Sequence, residues 1–113
     1  MISPRFPYLP IRFEVRQRTY QEEALIDTGF DGSIAVPPSL LENLGPPDGH
    51  ELWRPVVGPP ILAPAYRGSF EVGALGPVPV TLTVLGDEVL VGLEVIGRFI
   101  VTFEHGQRVI IKP

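Results

Sequence analysis

The stretch "ALIDTGFDGSIAV", Ala24 to Val36, decides how the rest of the chain is read. Ala24-Leu25-Ile26 runs straight into Asp27-Thr28-Gly29. A second Asp-Gly pair, Asp31-Gly32, follows, and the chain turns apolar again at Ile34-Ala35-Val36. Asp and Gly are ordinary turn residues, and an Asp-x-Gly turn alone says little. The setting says more. A strand ending on Asp27 puts its carboxylate beside packed apolar side chains, where a lone charge is costly unless paired or hydrogen-bonded. Gly29 lets the backbone turn and brings its N–H close to that carboxylate or to a bound molecule. Thr28 adds a hydroxyl that can bond backbone across an interface. Together the three can hold an acid rigidly at the end of a strand.

Outward from this stretch the pattern is mostly strand. Ile11, Phe13 and Val15 alternate with Arg12, Glu14 and Arg16, a period of two. Gln17-Arg18 reads as a turn into a second strand, Thr19 to Ile26, whose start carries the polar run Gln21-Glu22-Glu23. Ile34-Ala35-Val36 is a short strand closed by Pro37-Pro38. "PPSLLENLG" reads as a helix, with prolines in its first turn, Leu40, Leu41 and Leu44 on one face and Gly45 at its C-cap. Leu52 to Val57 and Ile61 to Val72 flank Gly58-Pro59-Pro60 as a hairpin. Pro55 and Pro64 confine those strands to an edge or a projecting arm. Val78 to Leu85 and Val89-Leu90-Val91 are further strands. Leu93 to Phe99 fits one or two helical turns, and Ile100 to Phe103 pairs with Gln107 to Ile111 across a turn at His105-Gly106. Short strands at regular spacing with two short helices predict a small all-β barrel or sandwich in a single domain, residues 1–113.

Bulk composition narrows the function. With 113 residues, 44 % hydrophobic and 19 % charged, the chain can bury a core. Its net charge of −4 leaves no footprint for nucleic acid or acidic membranes. It has no Cys, and His50 and His105 stand far apart, so no metal or other cofactor is expected. No segment approaches the roughly 18 apolar residues of a membrane span. The opening "MISPRFPYLP" has Pro and Arg where a signal peptide needs an apolar run, so a cytoplasmic protein is expected.

A second block, "EVLVGLEVIGRFIVTFEHGQRVIIKP", completes the picture. It holds an apolar triplet, Val89-Leu90-Val91, then Gly92, a short helix from Leu93 and a terminal hairpin. With the Asp27-Thr28-Gly29 block before it and a hairpin candidate between, the chain from Pro10 onward resembles the retropepsin-like aspartic proteases (clan AA), especially their short bacterial and archaeal members. The resemblance implies a small closed acid-protease barrel with one or two short helices, a flap hairpin, and terminal strands at a dimer interface. It implies an aspartic endopeptidase acting as a homodimer on peptide or protein substrate, with Asp27 catalytic. Thr28 would lock the two active-site loops together through its hydroxyl, and Gly29 would contact substrate backbone. Asp31 would touch substrate or simply form a turn. Val57, Gly58 and Ile61 would lie near the flap tip over the substrate, with Trp53 and Tyr66 as packing residues beneath it.

The chemistry requires a dimer on its own terms. Hydrolysis by this route uses two carboxylates sharing one proton and one water, one acting as base and the other donating to the scissile carbonyl. Two acids so close cannot both ionise. The chain has one Asp-Thr-Gly; Asp31, Asp48 and Asp87 lack its context, so a second Asp27 must come from another copy across a two-fold axis. Two other readings stay open. Pro59-Pro60 makes a stiff tip, as in a catalytically silent module that binds peptide or protein. An unrelated barrel with a chance Asp-Thr-Gly turn is the third.

Overall fold

The period-two alternation near the start of the chain builds the first long hairpin. In the computed structural model, which describes residues 1–113, a two-residue strand β1 (Ile2–Ser3) precedes β2 (Tyr8–Val15). Leu9, Ile11, Phe13 and Val15 of β2 are buried, and the residues between them are exposed. β3 (Arg18–Ile26) returns antiparallel, with Tyr8 opposite Leu25 and Val15 opposite Arg18. The turn between them is Arg16-Gln17 rather than Gln17-Arg18. Both turn residues take positive φ, 49° and 67°, as two-residue hairpin turns matching strand twist require. The Gln21-Glu22-Glu23 run lies inside β3, where its outer surface meets solvent.

β4 (Ile34–Val36) is wholly buried. The helix expected after it is a single 3-10 turn, Pro38–Leu41. Glu42 is already extended (φ −62°, ψ 142°), Asn43 has φ 65°, and no side chain caps the turn. So short a segment cannot offset helix nucleation by itself. Its apolar face is used all the same: Leu41 is buried and Leu40 and Leu44 pack against the core. Gly45, at φ 85°, follows a loop and caps no helix.

β5 (Gly49–Trp53) and β6 (Ile61–Val72) form the expected hairpin, but β5 begins earlier and stops at Trp53, before Pro55. β6 pairs with β5 from Ala65 to Ile61, and with β7 (Leu75–Val84) only from Ala65 onward. Ile61 to Pro64 therefore has β5 as its one neighbour, an arm beyond the barrel wall where a proline is tolerated. β8 (Leu90–Val91) and a single helical turn α1 (Leu93–Ile96) follow. β9 (Ile100–Glu104) and β10 (Arg108–Lys112) close the chain, joined through His105-Gly106.

Six strands, in the order β2-β3-β8-β4-β7-β6, form a barrel that closes where β2 meets β6, with Phe13 opposite Phe70. Phe13, Phe70, Leu9, Ile34 and Leu82 fill it, each under 2 % exposed. A separate three-stranded sheet, β1-β10-β9, caps one side and buries Val109 and Ile111 against the same core.

The base of the projecting hairpin is clamped by Asp48. Its carboxylate accepts the Arg67 amide N–H at 2.9 Å and an Arg16 guanidinium N–H at 3.2 Å. Arg16 also donates to the Leu44 carbonyl, at 2.7 Å, and its guanidinium lies 4.8 Å from the Tyr66 ring centre. Tyr66 is buried here, donating its hydroxyl to the Gly45 carbonyl at 2.9 Å. It is a packing residue, as expected, but at the root of the hairpin and not beneath its tip.

The Arg67 amide, with Arg16 adding to it, holds the Asp48 carboxyl below its ordinary value of 3.8. A depressed carboxylate stabilises the fold above that ordinary value and loses its contribution as pH falls through the depressed one. Asp48→Asn should therefore lower Tm at neutral pH, and the gap to the unmodified chain should close in strong acid. Thermal melts across that range check this; equal Tm values at pH 7 would refute the clamp.

Candidate active site

Asp27 stands where three strands converge. β8 runs parallel to the end of β3, with Leu25 opposite Leu90 and Ile26 opposite Val91. On its other side β8 runs antiparallel to β4, with Ile34 opposite Val91 and Ala35 opposite Leu90. The chain leaves β3 at Asp27 and re-enters the barrel at Ile34, so residues 27–33 arch around the end of β8. Val91 anchors the arch at its start: the Asp27 N–H donates to the Val91 carbonyl at 3.0 Å.

Inside the arch the bonds are local. The Phe30 N–H donates to the Asp27 carbonyl at 3.2 Å, closing a turn. The Gly29 N–H donates to Asp27 Oδ1 at 2.9 Å. This is the anchoring expected for a half-buried carboxylate, and it leaves Oδ2 without a protein donor. Thr28 and Gly29 are exposed at the mouth.

A second row of bonds ties the arch to residues 92–94. Gly92 N–H donates to the Ser33 carbonyl (2.8 Å), Leu93 N–H to Phe30 (2.9 Å) and Glu94 N–H to Gly32 (3.2 Å). The approach is so close that a Cβ on Gly92 would sit 2.3 Å from the Gly32 carbonyl oxygen and 2.7 Å from that of Phe30. The side chains repeat the tie: the buried Ser33 hydroxyl donates to Glu94 at 2.7 Å.

The projecting hairpin meets the arch through one side chain. The Trp53 ring centre lies 4.9 Å from that of buried Phe30, at 43°. A Cβ on Gly32 would fall 2.8 Å from the Trp53 ring. Trp53 thus packs on the arch, as a packing residue belonging to the hairpin itself. A cavity of about 510 Å³ opens beside this contact, bounded by Asp31, Ser33, Glu51, Trp53, Thr81 and Glu94. Of the other residues expected near substrate, Ile61 sits across from Trp53 in the hairpin. Val57 and Gly58 stand in solvent at the tip and do not line this cavity.

Ser33, Glu51, Thr81 and Glu94 escape a reading of the sequence alone. Only Ser33 leaves a trace, as a hydroxyl inside an otherwise apolar buried run.

No protein-family model matches the chain, and no curated protein sequence matches it. Solved structures do. The chain resembles a retropepsin-like aspartic protease from Rickettsia conorii, with a TM-score of 0.68 over 98 % of this chain and 88 % of that one, at 20 % identity. It also resembles the solution structure of the Simian Foamy Virus (mac) protease, with a TM-score of 0.53 over 78 % of this chain and 91 % of that one, again at 20 % identity.

The crowding at Gly92 makes the site sensitive to one methyl group. Gly92→Ala should destabilise the fold by roughly 1–3 kcal/mol or more, because two of the three obstructing atoms are backbone carbonyl oxygens that cannot swing aside and the third belongs to the buried Phe30 ring. Gly49→Ala, where a Cβ meets nothing within 4 Å, is the matched control. Urea titration of both variants checks the difference, and equal midpoints would refute it.

Proposed function

We propose that this retropepsin-like fold works as a homodimeric aspartic endopeptidase. The observation that carries the reading is the placement of Asp27: a half-buried carboxylate at the mouth of the barrel, one oxygen held by the Gly29 amide. One carboxylate is half of the chemistry. A water held between two of them loses a proton to one as it attacks the peptide carbonyl, and the other donates to the carbonyl oxygen. The second Asp27 comes from another copy.

Apolar surface supports that dimer. Ile2, Ile100 and Phe103 are 55 %, 59 % and 48 % exposed on the three-stranded sheet, whose outer strands β1 and β9 are free edges. Exposed edges with apolar side chains are surfaces that proteins normally cover. Leu93, whose amide bonds the arch, is a further apolar side chain left 44 % exposed. In this reading Thr28, which is exposed, bonds the facing loop of the second copy through its hydroxyl. In this reading the projecting hairpin is the flap, with Val57, Gly58 and Ile61 near the substrate when it closes.

The second reading, a binding module without hydrolysis, draws on the tip itself. Pro55, Pro59 and Pro60 stiffen the segment that has to open and close.

Asp27→Asn separates the two. It should abolish peptidase activity while leaving fold and dimer intact, since Asn is nearly isosteric and cannot titrate. Mixing tests the shared site. With free exchange and equal amounts of both chains, about a quarter of dimers are unmodified on both sides and activity falls to about half. Exchange is followed by energy transfer between labelled chains. Undiminished activity after complete exchange would mean that each chain works alone. Peptide-library cleavage by a verified dimer across acid and neutral pH is the direct test, and no cleavage anywhere would favour the binding module.

A further inference from the structure

The cavity beside Trp53 does not end at the arch. A second concavity, of about 300 Å³, shares Ser33, Thr81 and Glu94 with it and continues to Arg67 and Arg98. A third, of about 210 Å³, shares Thr81 and Glu51 with the first and Arg67 with the second. Thr81 borders all three and faces Arg67 across the β6–β7 pairing. The three concavities run together from the far end of the arch, which they meet at Asp31, Gly32 and Ser33 and not at Asp27, outward across the barrel wall.

Charge changes sign along it. At the inner end stand Asp31, Glu51 and Glu94, with Arg54 the one opposing charge. Glu51 is fixed by the hydroxyl of buried Thr83, at 3.0 Å, and Glu94 by Ser33. At the outer end stand Arg67 and Arg98. None of these is in an ion pair; Arg5–Glu23 and Arg108–Glu104 lie elsewhere, and Asp48, which borders the third concavity beside Arg67, is already paired with Arg16. Arg67 gives Asp48 its amide, not its guanidinium. Trp53 forms one wall of the inner end, its ring packed on Phe30 of the arch.

We propose that this groove selects substrate by charge order: it takes the segment flanking the cleaved bond, with a Lys or Arg at the inner carboxylates and an Asp or Glu farther out, at Arg67 and Arg98. The proposal rests on the endopeptidase reading, because continuity with the Asp27 arch is what makes the occupant a substrate segment. Carboxylates already fixed by hydroxyls lose little freedom on binding.

The test walks one Lys and one Glu along otherwise neutral flanks of a cleavable peptide. kcat/KM is measured on the unmodified dimer, and Kd on Asp27→Asn by fluorescence anisotropy. Peptides with Lys nearer the scissile bond than Glu should be favoured about three- to tenfold over neutral flanks, as expected of two or three solvent-exposed pairs. The preference should shrink in high salt. Arg67→Glu with Arg98→Glu should reverse the outer preference from Glu to Lys. Cleavage indifferent to flank charge would overturn the groove and leave the protease standing. No cleavage, with the same charge order in binding to Asp27→Asn, would overturn hydrolysis and support the groove. Neither cleavage nor ordered binding would overturn both. A preference that the double variant does not reverse would overturn the outer assignment.

Discussion

Two stretches of backbone, the arch at 27–33 and the segment at 91–94, lie closer together than any side chain but hydrogen permits at Gly92. Much of the architecture depends on that contact. β8 has only two residues, too few to be stable as a strand on its own. It persists because β3 and β4 pair with it on both sides and because the Gly92, Leu93 and Glu94 amides are spent on the arch. In return the arch, which has no regular structure, acquires fixed anchors at Asp27, Phe30, Gly32 and Ser33. The Asp27 carboxylate, where the arch leaves β3, is thereby held at both flanks, as pre-organised chemistry needs.

How much of this was legible in the sequence follows from the range of the interactions involved. Ile11, Phe13 and Val15 announce their strand because alternation is a local property. The Asp27 motif and Gly92 stand out because turns and close approaches demand particular residues. The retropepsin-like fold could be recognised from those two blocks taken together. The segment at Pro38 misled because a helical pattern of leucines serves an extended loop equally well when the core supplies the contacts. β1 is too short to leave a periodic trace. The Ser33–Glu94 and Thr83–Glu51 bonds join residues far apart in the chain, and which face each occupies depends on strand register, which no local pattern fixes.

The hairpin between β5 and β6 divides its duties along its length. Its root is fastened by Asp48, Arg16 and Tyr66. Its middle meets the arch through the Trp53–Phe30 ring contact, and its tip leaves Val56 and Val57 almost wholly exposed. Any swing of the arm turns about the root and must part Trp53 from Phe30. The aromatic pair is therefore the contact through which the arm and the arch sense each other.

The seam between β2 and β6 bears on how the molecule is made. These two strands are neighbours in space, yet β3, β4 and β5 intervene in the chain. Closing such a long loop costs entropy before any contact offsets it. The arch has the same dependence in stronger form, because its partners at 91–94 are synthesised well after it. A growing chain on the ribosome carries Asp27 early, but only the local bonds from Gly29 and Phe30 can form until residues 91–94 have emerged. The arch is therefore completed only when residues 91–94 have been made, an order of assembly set by topology alone.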